Sequence, residues 1–292
     1  MSTRTAPAIR ARKVRDGGEP LVMVTAYDAP GARQAHEADV DIILVGDSLA
    51  MVVLGYDDTL QVTVDDIAHH VGAVRRGLST STAEGPEPLV IGDMPWMSYH
   101  TTPAEAVRNA ATLIRAGASA VKLEGGRKRL PAVEAILDAE VPVMGHLGLT
   151  PQSLHAMGGF KVQGRQHSAA LALVDEAKAL AGIGCFSLVL EGVPDEVARM
   201  VTDAVDVPTV GIGAGPHCDG QVLVYHDLLG LSEGHLPRFV KRYANLSREI
   251  RDALEAYAED VRAGTFPDDD HTYEMSDEEL ESFSDGGAKT SH

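Results

Sequence analysis

The sequence predicts an α/β protein, a (β/α)8 barrel of the TIM type. Eight short Val/Ile/Leu-rich runs punctuate the chain, helical stretches separate most of them, and nearly every run ends on a glycine or an ionisable residue. The runs are near-continuously apolar rather than alternating, as expected of parallel strands covered on both faces. Eight strands alternating with helices over roughly 250 residues match the count and length of a closed barrel. A doubly wound open sheet is the alternative that counting leaves open. No Gly-x-Gly-x-x-Gly opens a helix after the first strand, which speaks against dinucleotide binding.

In order, the strand runs are Leu21–Ala26, Ile42–Val45, Leu89–Ile91, Ala120–Leu123, Val141–Met144, Ser187–Leu190, Pro208–Ile212 and Gln221–Val224. Helices are expected over Pro30–Ala38, Val64–Arg76, Pro103–Ala116, Leu130–Ala139, Ala169–Ala181 and Asp195–Ala204. Thr63 is the expected N-cap of the second of these and Gly77 its stop. Thr102 caps the third, with proline in its first turn. Leu78–Pro88 reads as an exposed loop. Gly211–Gly215 is glycine-rich and follows the seventh strand, a position that in barrels often meets an anionic group.

Residues 1–266 are expected to form one barrel domain with an N-terminal extension and C-terminal helices. Residues 267–292 hold nine acids and one lysine without a sustained apolar period, and read as a disordered acidic tail with room for a short helix near Ser276–Phe283.

Composition narrows the partners. With 43 acidic and 25 basic residues the formal net charge is −18. Such a surface repels nucleic acid and anionic membrane, so neither is expected as a partner. Only 7 of the 25 basic residues are lysine, a balance that resembles salt-adapted proteins. No apolar run approaches the ~18 residues of a membrane span, and no apolar core precedes Leu21, so a cytoplasmic protein is expected. Aromatics are 4% of the chain, leaving the core to aliphatic residues. Two cysteines make neither a disulfide framework nor a cysteine-based zinc site. Cys185 reads as a small core residue, and Cys218 has no assigned role.

In a barrel the active site lies at the carboxyl ends of the strands. Those ends here carry Asp28, Asp47, Asp93, Glu124, His146, Glu191 and Asp227. Any one of them could be a helix cap or a surface charge. A ring of carboxylates facing one funnel repels itself unless a cation or a proton is shared. Asp47, Asp93 and Glu124 are hard oxygen donors that suit Mg2+, whereas zinc would want more histidine or cysteine. Mg2+ can hold a 2-keto acid and stabilise the enolate left when a C3 proton departs. Glu191, on another strand, is the candidate base, with a solvated strand-end glutamate as its bland alternative. Lys122 precedes Glu124 by two and so shares its interior side; it could pair with a substrate carboxylate or act as a Schiff-base nucleophile. His146 could orient substrate or be a satisfied core histidine.

The motifs Val24-Thr25-Ala26-Tyr27-Asp28, Val45-Gly46-Asp47-Ser48-Leu49, Asp93-Met94-Pro95, Lys122-Leu123-Glu124-Gly125-Gly126, Gly145-His146-Leu147-Gly148-Leu149-Thr150-Pro151-Gln152-Ser153, Lys161-Val162-Gln163-Gly164-Arg165 and Leu190-Glu191-Gly192-Val193-Pro194 run in one order along the chain. Together they resemble the 3-methyl-2-oxobutanoate hydroxymethyltransferase (ketopantoate hydroxymethyltransferase) family over about Leu21–His271. The resemblance implies a phosphoenolpyruvate/pyruvate-type barrel. It implies an enzyme of pantothenate and coenzyme A biosynthesis that moves a hydroxymethyl group from 5,10-methylenetetrahydrofolate to 3-methyl-2-oxobutanoate, giving 2-dehydropantoate. It implies Mg2+ on Asp47, Asp93 and Glu124, substrate contacts at Asp47, Ser48, Asp93, Lys122 and His146, Glu191 as proton acceptor, and ring-like homo-oligomers, decamers among them. Trp96 stands where the family leads one to expect Phe, and no compact folate motif is matched. The alternative functions are a Mg2+-dependent barrel lyase or mutase acting on a small 2-keto or phosphoenol acid, and a ligand-binding barrel without catalysis.

Overall fold

A computed structural model describes residues 4–234 and 236–287 of the chain. It divides the chain into Met1–Ala244 and Asn245–His292. The first unit is a closed barrel of eight parallel strands in sequential order. They are β1 (Leu21–Thr25), β2 (Ile42–Val45), β3 (Leu89–Asp93), β4 (Ala120–Glu124), β5 (Val143–Gly148), β6 (Ser187–Glu191), β7 (Thr209–Ile212) and β8 (Gly220–Leu223). β8 pairs back onto β1 through Leu21 opposite Gly220, which closes the cylinder and excludes the open sheet.

Alternation along the strands separates two cores. Ile42 and Leu44 join Leu21, Met23, Leu89, Ile91, Ala120, Met144, Val189, Val210 and Val222 inside the barrel. Ile43 and Val45, one residue out of step, pack with Val90, Val121, Leu123, Leu188 and Leu190 against the helical layer. Both sets are apolar because a parallel barrel strand has no wet face. Side chains on one face of a strand recur every second residue, so continuing the interior set towards the carboxyl ends reaches Asp93, Lys122, Glu124, His146 and Glu191.

The helices lie close to their expected bounds. Pro103–Ala116 is capped by Thr102, and Val64–Ser79 starts on a capping box between Thr63 and Asp66. That helix runs past Gly77, its expected stop, so Leu78 and Ser79 are helical rather than part of an exposed loop. The reason is packing. A Cβ at Gly77 would lie 2.4 Å from the Ala29 carbonyl oxygen, so glycine here lets two helices touch rather than ending one. β5 runs on to Gly148, beyond the expected Met144, because Gly145 to Gly148 continue the ladder with β6.

The N-terminal end of the barrel is plugged by the chain's own extension. The short helix Ala6–Arg10 sends Ala6 and Ile9 into the interior core. Behind it Lys13 is buried, its ammonium 2.8 Å from Asp219 and donating to the carbonyls of Thr202 (2.7 Å) and Val207 (3.1 Å). Asp219 also accepts from the backbone amides of Val14 and Thr209. Every charge in this pair is met.

The second unit holds the helices Leu246–Ala263 and Asp277–Gly287. The end of the expected acidic tail, 288–292, lies outside the described residues. Ile250, Leu254, Tyr257 and Val261 form an exposed apolar stripe along the longer helix. Among the described residues no helix is long and apolar enough to cross a membrane. Cys185 is fully buried, and burial pushes its thiol up to about 12, as suits an inert core residue.

Candidate active site

Four neighbouring strands build one side of the site. Asp93 ends β3 opposite Lys122 of β4, and Glu124 at the end of β4 faces His146 of β5. Gly148 of β5 faces Glu191 of β6. Gly148 has a backbone φ of +95°, and a Cβ there would meet the Glu191 carbonyl oxygen at 2.2 Å, so only glycine allows β5 to approach Glu191 this closely. Asp47 leaves β2 one residue after Gly46, its amide donating to Asp93 Oδ2 at 3.1 Å.

The side chains form a connected set. Lys122 Nζ is 2.9 Å from Asp93 Oδ1 and 3.9 Å from Glu124 Oε1. His146 Nδ1 lies 3.3 Å from Lys122 Nζ and 3.4 Å from Glu124 Oε1. Its Nε2 lies 3.2 Å from Glu191 Oε2. Asp47, Asp93, Lys122, Glu124 and His146 are all at most 5% exposed, whereas the Glu191 side chain is 18% exposed. Glu191, the expected base, is thus the most exposed carboxylate of the set.

The charges do not balance. Burial, then Asp93 and Glu124, push the Asp47 carboxyl well above the ordinary carboxylate range. Burial also raises Asp93, although Lys122 opposes it. Burial alone would raise Glu124, but His146 and Lys122 hold it below its ordinary value. Burial would lower Lys122, yet Asp93, Glu124 and Asp47 raise it well above the ordinary lysine range. His146 rises to about 9 against its own burial, through Glu124 and Glu191. Lys122 and His146 compensate Asp93 and Glu124 better than Asp47, and a further cation at Asp47 would relieve what burial costs there.

The donor set fits a hard divalent ion in kind, being carboxylate oxygen throughout. Among the described residues no three Asp, Glu, His or Cys side chains already converge as a finished cage. Asp47 Oδ2 and Glu124 Oε2 are instead held by Gln152, through its Nε2 at 2.9 Å and its backbone amide at 3.0 Å. Mg2+ commonly takes one or two carboxylates and keeps several waters, so a closed protein cage is not what it needs.

Ser48 lies beside the site with its Oγ 2.8 Å from the Tyr27 hydroxyl, itself raised by burial. Asp28 caps the helix Ala29–Glu37 by accepting from the Gly31 amide at 2.7 Å, which is the ordinary fate of a strand-end aspartate. Tyr27, Tyr99 and Gln152 belong to the site without having been expected there. All three fall in or beside recognisable motifs, but tyrosine and glutamine do not titrate near neutrality, and a search for carboxylates passes over them.

The family model for ketopantoate hydroxymethyltransferase matches residues 4–269. A 3-methyl-2-oxobutanoate hydroxymethyltransferase of Syntrophomonas wolfei is 51% identical over 96% of this chain and 99% of its own. That of Moorella thermoacetica is 53% identical over 92% and 97%. Solved structures share the architecture at low identity. Phosphonopyruvate hydrolase in complex with oxalate and Mg2+ has a TM-score of 0.58 at 15% identity over 98% of this chain and 97% of its own. 2,3-Dimethylmalate lyase, of the PEP mutase/isocitrate lyase superfamily, has 0.56 at 18% over the full length of both. With a matched family model across the barrel and relatives at half identity along nearly its whole length, the chain belongs to the ketopantoate hydroxymethyltransferase family.

Proposed function

We propose that this chain transfers a hydroxymethyl group from 5,10-methylenetetrahydrofolate to 3-methyl-2-oxobutanoate, with Glu191 taking the C3 proton. The observation that carries the residue roles is the division of the carboxylates: Asp47, Asp93 and Glu124 buried around Lys122, and Glu191 alone partly exposed against His146. Asp47, Asp93 and Glu124 would hold Mg2+, which when bound supplies a Lewis acid for the keto acid's oxygens.

The remaining work falls to the chain. Lys122 and Ser48 offer donors to the substrate carboxylate. Glu191 accepts the C3 proton, and His146, 3.2 Å from its Oε2, fixes its direction. The carbon so freed forms a bond to the one-carbon unit of the folate while the carbon–nitrogen bonds to that unit break. Water supplies the new hydroxyl, and the two released folate nitrogens take one proton from that water and one from Glu191, which returns to its carboxylate form. Ring-like homo-oligomers are carried over with the family as the expected assembly, to be measured by light scattering.

The test is isotopic. Protein with Mg2+ and 3-methyl-2-oxobutanoate in D2O should exchange the C3 proton without folate, and a coupled assay with methylenetetrahydrofolate should yield 2-dehydropantoate. Glu191→Gln should slow exchange by ~10²–10⁴-fold while keto acid binding persists, the usual size of a general-base contribution. Full exchange in that variant would remove Glu191 from the role.

A further inference from the structure

We infer that Gln152 and Tyr99 form a positioning brace that presets the two outer carboxylates, Asp47 and Glu124, for the divalent ion; the inference rests on the metal role just proposed for those residues. Gln152 lies in the single turn Pro151–Ser153 that follows β5, with its side chain buried. Its amide nitrogen donates to Asp47 Oδ2 at 2.9 Å and to the Met94 carbonyl at 3.0 Å. Its backbone amide donates to Glu124 Oε2 at 3.0 Å. One residue thus grips a carboxylate arriving from β2 and another arriving from β4.

The orientation of the Gln152 amide is not a free choice. The Met94 carbonyl can only accept, so the nitrogen must face it and the oxygen must face the other way. On that other side the Tyr99 hydroxyl stands 2.6 Å from Gln152 Oε1. The same hydroxyl accepts from the Glu124 backbone amide at 3.1 Å, and of the two acceptors in its reach, Gln152 Oε1 at 2.6 Å and the Glu124 carbonyl at 3.3 Å, the nearer takes its single proton. A closed circuit results: Glu124 amide to Tyr99, Tyr99 to Gln152, and Gln152 back to both carboxylates. Tyr99 and Gln152 are 2% and 5% exposed, so every one of these donors would be costly to leave unmet, and the circuit has few other arrangements open to it.

The geometry also explains why the residue is an amide. Two donors on Gln152 Nε2 are needed for Asp47 and Met94, and one acceptor for Tyr99. Glutamate would face Asp47 with a like charge, and a hydrophobic side chain would leave Asp47 Oδ2 and the Met94 carbonyl without these donors and take from the Tyr99 hydroxyl its nearest acceptor. By occupying one oxygen of Asp47 and one of Glu124, the brace leaves each carboxylate a fixed remaining oxygen. Partners behind metal ligands that fix them in this way typically account for about 10–100-fold in metal affinity or activity.

The experiment is a Mn2+ titration, followed by paramagnetic signal, of wild type, Gln152→Met, Tyr99→Phe and the double variant, with the folded fraction of each measured by circular dichroism. Gln152→Met keeps side-chain volume and removes both polar atoms. Its Mn2+ dissociation constant is expected to rise ~10–100-fold. Tyr99→Phe should raise it less, and the double variant should bind no more weakly than Gln152→Met alone, because both act through one circuit. The activity readout is a split: raised Mg2+ concentration should restore much of kcat in Gln152→Met, whereas Asp47→Ala should not recover. A merely structural residue would lower the folded fraction and leave the dissociation constant of the folded molecules unchanged. Folded Gln152→Met and Tyr99→Phe binding Mn2+ as wild type does would overturn the brace alone. Wild type that binds no Mn2+ would overturn both the brace and the metal reading beneath it.

Discussion

The two ends of this barrel both bury charge, and they do so for opposite results. At the N-terminal end, Lys13 and Asp219 are buried as one neutral pair in which the ammonium has three acceptors and the carboxylate has backbone donors besides. At the carboxyl end, Asp47, Asp93 and Glu124 gather around Lys122 with His146 behind Glu124, and the Asp47 carboxyl is still driven up by burial and by its acidic neighbours. The first arrangement is complete without anything from solution. The second is not, and that incompleteness is what the proposed Mg2+ would answer. A satisfied buried charge is part of the fold, while an unsatisfied one is a site.

The comparison breaks most sharply on a pair of substitutions. Asp47→Asn keeps the volume and still offers an acceptor to Gln152, yet removes one hard donor and one repelling charge. Activity should fall on the order of 10³-fold, the scale of several kcal/mol of charge stabilisation. The melting temperature in chelator should hold or rise. Lys13→Met should do the reverse. It leaves Asp219 as a buried carboxylate without its cation, at a cost of ~3–5 kcal/mol in stability, while kcat of the folded protein is unchanged. Thermal melts and the coupled assay on both variants decide the matter. Equal losses of activity in the two would erase the distinction between the ends.

A smaller effect sharpens the contrast between packed and open positions. Gly77 and Gly182 both sit in helices, Val64–Ser79 and His167–Ile183. Alanine is favoured over glycine in a helix by ~1 kcal/mol. At Gly182 nothing lies within 4 Å of an added Cβ, so Gly182→Ala should stabilise by about that amount. At Gly77 the Cβ would meet the Ala29 carbonyl oxygen at 2.4 Å and its Cα at 2.6 Å, so Gly77→Ala should destabilise by ~1–3 kcal/mol despite the better propensity. Urea midpoints of opposite sign are the expected result.

The barrel was legible because both faces of each strand are buried, which writes a continuous apolar run into the sequence at β2, β3 and β6. Period two then places Lys122 and Glu124 on one side from the sequence alone. Two kinds of information were not legible. Gly77 looks like a helix stop because glycine ends helices, and only the neighbouring helix reveals it as a contact. Gln152 and Tyr99 act through hydrogen bonds that join residues 25, 28, 53, 58 and 105 positions apart, and no local pattern encodes such closure. The N-terminal plug is hidden for the same reason: Lys13 meets a partner 206 residues away.

The least dramatic prediction bears most directly on the incomplete end. In the metal-free protein the Asp47 carboxyl is raised, so the folded state holds that proton more tightly than the unfolded state does. Stability on this account declines as pH rises from the unfolded carboxylate value of ~3.9 through the folded one. His146 acts in the same direction. Raised to about 9 by Glu124 and Glu191, it contributes stability that is full below its ordinary 6.5 and lost as pH climbs through about 9. Both groups therefore make the metal-free site weaker in alkali. A divalent ion at Asp47 takes the place of that carboxyl's proton, so its binding should release it and strengthen with pH. The rise in melting temperature on adding Mg2+ should accordingly be larger at pH 8 than at pH 6, by a few degrees. Calorimetry in two buffers of different ionisation enthalpy should register proton release at pH 6. In Asp47→Asn the pH dependence should flatten. An Mg2+ increment equal at both pH values would mean that Asp47 is already ionised without the cation, and that the carboxyl end of the barrel is balanced after all.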